Sequence, residues 1–334
     1  MTKIHIRPAE TRDIPVITAL LLGDAAKRAS LAPSLWAVAP DAPARIVASL
    51  QTIAEAVTGP LRHHWTVAEQ GGVIVAVTHA ANVPAPPIID LQGGTAGILL
   101  DDSHLAADGA VSRRLIEETE RRLAEAGAVL FVAASPSNWR ERTDCFAAIG
   151  YEPTTLYMAK TGLNATYPGD VVRLATAADV DGIVHLSALH RARLKVANPV
   201  FWAIHAQADA RFKAWMAASL TMTDRSIYVS DGPDMPDAFI IAQPASPLHF
   251  QPANDITKIG LIDDFYASAF EGADDAKDAA PKALVAAAEA RFHDQGIDTA
   301  LAICPVRMTA KADLLTECGY KPANLWMVKT RQRA

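Results

Sequence analysis

The strongest constraint on the fold of this chain is that it repeats itself. The segment IRPAETRDIPVI, starting at Ile6, returns as VRLATAADVDGI from Val172, an offset of 166. At the same spacing Pro33-Ser-Leu-Trp36 returns as Pro199-Val-Phe-Trp202, and Arg45 returns as Arg211. GILLDD, Gly97 to Asp102, returns as GLIDD, Gly260 to Asp264. Each copy closes on its strongest match, GYEPTTLYMAKT from Gly150 and GYKPANLWMVKT from Gly319, now offset by 169. Ordered matches over nearly the whole length mean two tandem copies of one domain. The stretch GLNATYPGD at 162–170 reads as a turn-rich linker, which places the units at 1–163 and 170–334.

Within each copy the hydrophobic pattern predicts β-α-α-β-β-β-α-β-α-β, an α+β layout on a mixed sheet. The opening strand, His5 to Pro8 or Val172 to Leu174, leads to a helix announced by Thr11-Arg-Asp or Ala178-Asp. A second helix is expected after Pro33 and Pro199, continuing through Asp41–Gln51 and Asp209–Leu220. A hairpin follows, turning on Gln70-Gly-Gly in the first copy. An amphipathic helix over Ala110–Ala126 puts Val111, Leu115, Ile116, Thr119 and Leu123 on one face. A buried strand, a short helix and a closing strand complete the unit. Met158 and Met327 fall at matching positions in the closing strands, where core packing or pairing between the copies would place them.

Composition then removes whole classes of function. The net charge of −6 argues against nonspecific binding to nucleic acid or to an anionic membrane. No apolar run approaches the ~18 residues of a membrane span, and MTKIHIRP lacks the apolar core of a signal sequence. Cys145, Cys304 and Cys318 are odd in number and without CxxC spacing, which predicts free thiols, a cytoplasmic setting and no metal site.

The "IRPA-x-x-x-D-I" opening, the acidic fourth strands Leu99-Leu-Asp-Asp102 and Leu261-Ile-Asp-Asp264, the helix after them and the late GY-x-P segment resemble the GNAT superfamily of acetyl-CoA-dependent N-acetyltransferases. Here the resemblance covers a tandem pair. It implies acetyl transfer from acetyl-CoA to a small-molecule amine by direct attack, in a monomer with pseudo-dimeric domains or a homodimer.

The resemblance also implies site residues. In such proteins the backbone N–H groups at the start of the helix after the fourth strand hold the CoA pyrophosphate. That places Gly109, Ala110, Val111 and Ser112 as cofactor donors, with Asn138 orienting the cofactor arm; an N-cap role suits Asn138 equally. The first copy lacks the usual leading Arg and has Ala110 and Ser112 where glycines are expected. In the second copy Pro281 removes a donor, and Asp274, Asp275 and Asp278 would repel phosphate, so the N-terminal copy is the expected cofactor site.

The candidate bases are Asp101 and Asp102, or Asp263 and Asp264, with Asp101 or Asp102 the expected one and a solvated or capping role competing; adjacent strand residues face opposite ways, so only one of each pair should reach the cleft. Trp36, Arg45, Asp263 and Asp264 are acceptor-side candidates, with helix packing the competing role for Trp36 and a surface role for Arg45. His63, His64, His79 and His104 lie on different elements without ligand spacing and read as satisfied or surface histidines. The family's proton-donating tyrosine is missing: Phe146 and Leu315 stand at its positions, which opens the alternative of a noncatalytic ligand-binding or scaffold protein.

Overall fold

The computed structural model describes residues 3–53, 61–232, 234–271 and 279–331. The first half comprises β1 (Ile4–Pro8), α1 (Ile14–Leu31), α2 (Ala42–Leu50), β2 (Arg62–Gln70), β3 (Val73–Pro84), β4 (Thr95–Leu99), α3 (Gly109–Glu125), β5 (Ala128–Pro136), α4 (Arg140–Ala147) and β6 (Glu152–Thr161). The second repeats that order as β7 (Val172–Leu174), α5 (Val180–Ala197), α6 (Ala208–Ser219), β8 (Ser226–Asp231), β9 (Pro236–Pro244), β10 (Ile259–Ala267), α7 (Ala279–Asp294), β11 (Thr299–Pro305), α8 (Thr309–Glu317) and β12 (Lys321–Thr330). The expected α+β order is therefore present twice.

The opening motif is a local lock. Arg7 on β1 reaches both carboxylate oxygens of Asp13, at 2.7 and 3.0 Å, and Asp13 accepts from the Glu10 backbone just ahead of α1. Arg173 and Asp179 repeat the arrangement at 2.8 and 2.8 Å before α5. A bidentate guanidinium–carboxylate pair fixes direction as well as distance, so it sets how the first helix leaves the first strand. One expectation fails here. The residues after Pro33 are not helical until Ala42, because Ala37, Val38 and Ala39 bond instead to the segment around Ala253–Asp255 of the other half.

All twelve strands join one sheet, in the order β1-β2-β3-β4-β5-β12-β6-β11-β10-β9-β8-β7. The two closing strands have changed places: β12 lies between β5 and β6, and β6 lies between β12 and β11. Met327 stands opposite Ala133 and Met158 opposite Ala302, equivalent positions in the two copies. The exchange is held from the side chains too. Lys160 on β6 binds Glu289 of α7 at 2.7 Å, and Lys329 on β12 binds Glu120 of α3 at 2.7 Å. Glu289 and Glu120 are both buried, so each lysine compensates a charge that water cannot reach. The strand swap begins at Gly150 and Gly319, whose φ of 93° and 90° favours glycine.

Helices cover the sheet and close two cores per half. Ile17, Leu21, Ile46 and Leu50 pack α1 and α2 on one side of the first half, while Ile116 and Leu123 of α3 pack with Phe131 and Phe146 on the other. The second half repeats this with Ile183, Leu186, Phe212 and Met216, and with Leu284, Ala288 and Phe292. Gly260 passes so close to the Phe292 ring that a Cβ there would lie 2.5 Å from it, and Gly97 sits against Leu123 in the same way at 2.9 Å. These glycines let the third helix press onto the strand that carries the paired aspartates.

Candidate active site

β4 pairs in parallel with β5 over its whole length, Thr95–Leu99, and β10 pairs with β11 only over its first residues, Ile259–Ile262. Beyond that point the strands part and the Asp-Asp doublets sit at the fork. In the first half the chain leaves the sheet after Leu99 and rejoins β3 at His104, which bridges Val77. In the second half the strand continues, with a bulge between Ile262 and Phe265. A bulge breaks the one-up, one-down alternation. Both Asp263 and Asp264 therefore line the same cleft, contrary to the expectation that only one of a pair could.

The first fork is filled. Arg28 of α1 is fully buried and grips Asp101 at 2.9 and 3.3 Å, and it also donates to the Asp101 carbonyl at 3.0 Å. Gln251 from the other half donates to that same carbonyl at 2.6 Å. Trp36, 1 % exposed, packs with Phe250 and under Arg28, so it is core rather than an acceptor wall. Arg45 is at the surface, bonded to Asp41 at 2.7 Å. Asp102 is paired with His79 at 2.8 Å; His79 stacks on Trp65 and meets His63 at 2.8 Å. His64 bonds Asn82 and His104 bonds Asp24, so each of these histidines has a partner. Neither Asp101 nor Asp102 has the open carboxylate that a base requires.

The expected phosphate donors of this half are also engaged. Asp108 caps α3 with its own carboxylate, accepting from the Ala110 N–H at 2.9 Å. The N–H groups of Val111 and Ser112 bond the Asp108 carbonyl, and the Val111 side chain lies in the core. Of Gly109, Ala110, Val111 and Ser112, three are thus already hydrogen-bonded, and the capping carboxylate occupies the place an anion would take. A cleft of about 450 Å³ does run past Gly109, Ser112, His104, Trp139 and Arg142. Asn138 lies outside it, exposed on a separate groove, and the N-cap of α4 is Trp139.

The second fork is open, and one residue accounts for much of the difference. At the offset of 166, Leu194 stands where Arg28 stands in the first half. Asp263 consequently has no paired guanidinium among the described residues; Gln243 donates to it at 3.0 Å, and Arg225 acts on it only through its charge. Burial and the neighbouring Asp264 push its carboxyl up to about 6. Asp264 pairs with His190 of α5 at 2.9 Å and is held below the usual carboxylate range by that imidazole, against the opposing effect of burial. Burial lowers the pKa of His190, whose Nε2 has no hydrogen-bond partner among the described residues. At the offset of 169, Arg142 is replaced by Lys311, whose buried ammonium donates to the Phe265 carbonyl at 2.7 Å. Burial lowers its pKa as well.

Two clefts meet at this fork. One, about 400 Å³, holds His190, Asp263, Asp264, Trp202 and Lys311. The other, about 370 Å³, runs between the end of α5 and the start of α8 past Arg193, Arg307 and Thr309. Leu194 and Lys311 border both. The loop 272–278, with Asp274, Asp275 and Asp278, lies outside the described residues.

A GCN5-related N-acetyltransferase from Sphaerobacter thermophilus has the same architecture, with a TM-score of 0.56 over 98% of this chain and 95% of that one, at 11% identity. The chain has a tandem GNAT fold. A tandem GNAT protein from the clavulanic acid biosynthesis pathway is also similar, at 14% identity and a TM-score of 0.46, covering 99% of this chain and 100% of that one. No protein-family model matches the sequence, and neither does any curated protein. At these identities the likeness shows the fold alone, so the chemistry rests on the fork itself. Among the described residues no group of three or more His, Cys, Asp or Glu could hold a metal, and no helix is long and apolar enough to cross a membrane.

Asp263 and Asp264 were readable in the sequence as candidate bases or acceptor-side residues, and Trp202 as the counterpart of Trp36, whereas His190, Leu194 and Lys311 carried no assigned role in the site. The signal was present. The site is marked by Arg28 against Leu194 and Arg142 against Lys311, positions outside the recurring motifs where the copies differ.

Proposed function

We propose that the protein transfers an acyl group, in the simplest case acetyl from acetyl-CoA, to an amine, and that the C-terminal half carries the reaction. The observation that supports this is the pair of clefts meeting at Leu194 and Lys311, with Asp263 on the bulge between them. An acyl-CoA supplies an activated acyl carbon and a thiolate leaving group. The cleft past Arg307 offers a cationic side chain suited to its phosphates, and the cleft past Trp202 receives the amine.

Asp263 is the base in this reading. Above pH ~6 it is ionised, and it can hold the proton that an attacking amine must lose. Asp264 and His190 keep a second carboxylate beside it, which raises its affinity for that proton. Lys311 takes the part that the missing tyrosine plays elsewhere: it borders both clefts, and its ammonium, buried on the Phe265 carbonyl, is the group that gives a proton to a departing thiolate. Its replacement of an aromatic donor is chemically reasonable because thiols ionise near pH 8.5 and need little help to leave.

This reading moves the cofactor from the N-terminal half, where it was expected, to the C-terminal one. The noncatalytic scaffold reading fits the N-terminal half alone, where the Arg28–Asp101 pair closes the fork. Calorimetry with acetyl-CoA tests the assignment. Arg307→Glu should weaken binding about tenfold or more, while Ser112→Glu should leave it unchanged. The opposite pattern would return the cofactor to the first half.

A further inference from the structure

The acceptor cleft has a composition that narrows its substrate. Its walls are Trp202, Phe212, Trp215, Ile303 and Pro305, joined by a segment of the other half, Pro86–Ile89. That segment is anchored rather than merely adjacent. Ile89 bridges Ile204, the His205 N–H donates to the Ile88 carbonyl at 3.0 Å, and Arg211 donates to the Pro87 carbonyl at 2.9 Å. The Ile88 side chain packs against the second half's core.

The charged groups of the cleft are placed with equal economy. Asp263 and Asp264 sit together at the fork, and the two arginines nearby are occupied. Arg191 is bound to Ser187 and Asp209 and covers the Phe212 ring; Arg211 is bound to Pro87 and Gln207. Arg225 covers the Trp215 ring at 5.0 Å. The faces of Phe212 and Trp215 thus already carry a guanidinium, so a second cation on the substrate would meet repulsion there rather than a free π face. A carboxylate on the substrate would share the cleft with Asp263 and Asp264, whose charges oppose it, and the cations there are already engaged: Arg191 with Ser187 and Asp209, Arg211 with Pro87 and Gln207, Lys311 with the Phe265 carbonyl. One ammonium at the aspartates and an apolar body beyond it match the acidic fork and the apolar walls of Trp202, Phe212, Trp215, Ile303 and Pro305.

We propose that the acceptor is an apolar primary amine, an alkyl- or arylalkylamine with one amino group and no other charge, and that the N-terminal half acts as the wall that selects it. This rests on the C-terminal acyl-transfer reading above. It assigns the closed half a role in the reaction: its fork is sealed, while its β3–β4 loop completes the partner's cleft.

The test is CoA-thiol release at saturating acetyl-CoA with 2-phenylethylamine and n-hexylamine against spermidine, glucosamine and phenylalanine. The apolar amines should have kcat/KM at least about tenfold higher than each of the others, the scale that burying several methylenes supplies. Equal or better turnover of a polyamine, aminosugar or amino acid would overturn the substrate class while leaving acyl transfer standing. Ile88→Ala should raise KM for 2-phenylethylamine about five- to tenfold and leave KM for acetyl-CoA within about twofold. A rise in the acetyl-CoA KM instead would assign the cleft to the acyl chain and overturn the proposal, as would no change in either. If no amine is acylated, calorimetry with 2-phenylethylamine separates the two readings. Binding lost in Ile88→Glu would support the apolar-amine cleft and sink acyl transfer; absence of binding would sink both.

Discussion

Two forks built from the same duplicated segment have reached opposite electrostatic states. In the N-terminal half Arg28 meets Asp101 out of contact with water, and Trp36, Phe250 and Gln251 fill the space around the pair. In the C-terminal half Leu194 leaves Asp263 without a paired guanidinium, only the more distant charges of Arg225 and Lys311 act on it, and burial beside Asp264 makes the carboxyl take up protons far more readily than usual. A buried ion pair is expensive to assemble and costly to break, so it acts as a latch. An unpaired, partly buried carboxylate is strained toward its neutral form, which is the condition a general base near neutrality requires. Duplication allowed one copy to become the latch and the other to keep the strain.

The largest effects should come from making one change in both forks. Asp263→Asn should lower kcat about 10²- to 10⁴-fold in a thiol-release assay. Asp101→Asn should leave the activity of the folded protein nearly intact while costing about 3 kcal/mol in denaturant unfolding, because Arg28 is left buried without its partner. If both substitutions abolish turnover equally in folded protein, the division of labour is wrong.

Transplanting the latch comes next. Leu194→Arg should pair with Asp263 and reduce kcat/KM about a hundredfold, with amine binding falling in parallel. Lys311→Met should reduce kcat about 10- to 100-fold, and a variant indistinguishable from the parent would remove Lys311 from the reaction.

Acidity gives a finer separation. With Asp263 as the proposed base, acting as the carboxylate, kcat/KM should climb as pH rises through about 6 and then level off. The stability effect has the opposite sense. A carboxyl whose folded pKa is raised supports the fold below its unfolded value near 3.8 and loses that support as pH rises through about 6. Asp263→Asn should therefore raise stability at pH 8 by roughly 1–2 kcal/mol and leave it unchanged at pH 3.5, read from thermal melts at the two pH values. The smallest effect concerns the capped helix of the closed half. Asp108→Ala should cost about 1 kcal/mol in stability and nothing in activity.

The residues that recur were readable as scaffold. The Arg7–Asp13 and Arg173–Asp179 locks, the glycines at 97, 150, 260 and 319 and the matched methionines each answer a local demand, of direction, of φ or of close approach, which sequence spacing reports directly. The element order and the count of two copies followed from the same local patterns. The site was legible only in part. Asp263 was visible as half of a doublet, but nothing local distinguishes it from Asp101.

Tertiary structure alone decided that distinction, along with the exchange of β6 and β12 and the seating of Pro86–Ile89 in the other half's cleft. Each depends on what arrives from far along the chain: Arg28 is 73 residues from Asp101, and Arg211 lies 124 residues beyond Pro87. A carboxylate's affinity for a proton is set by its burial and by the charges around it. Sequence by itself determined a duplicated α+β chain with acidic strand ends; the partners brought to each end determined which of them stays able to take a proton.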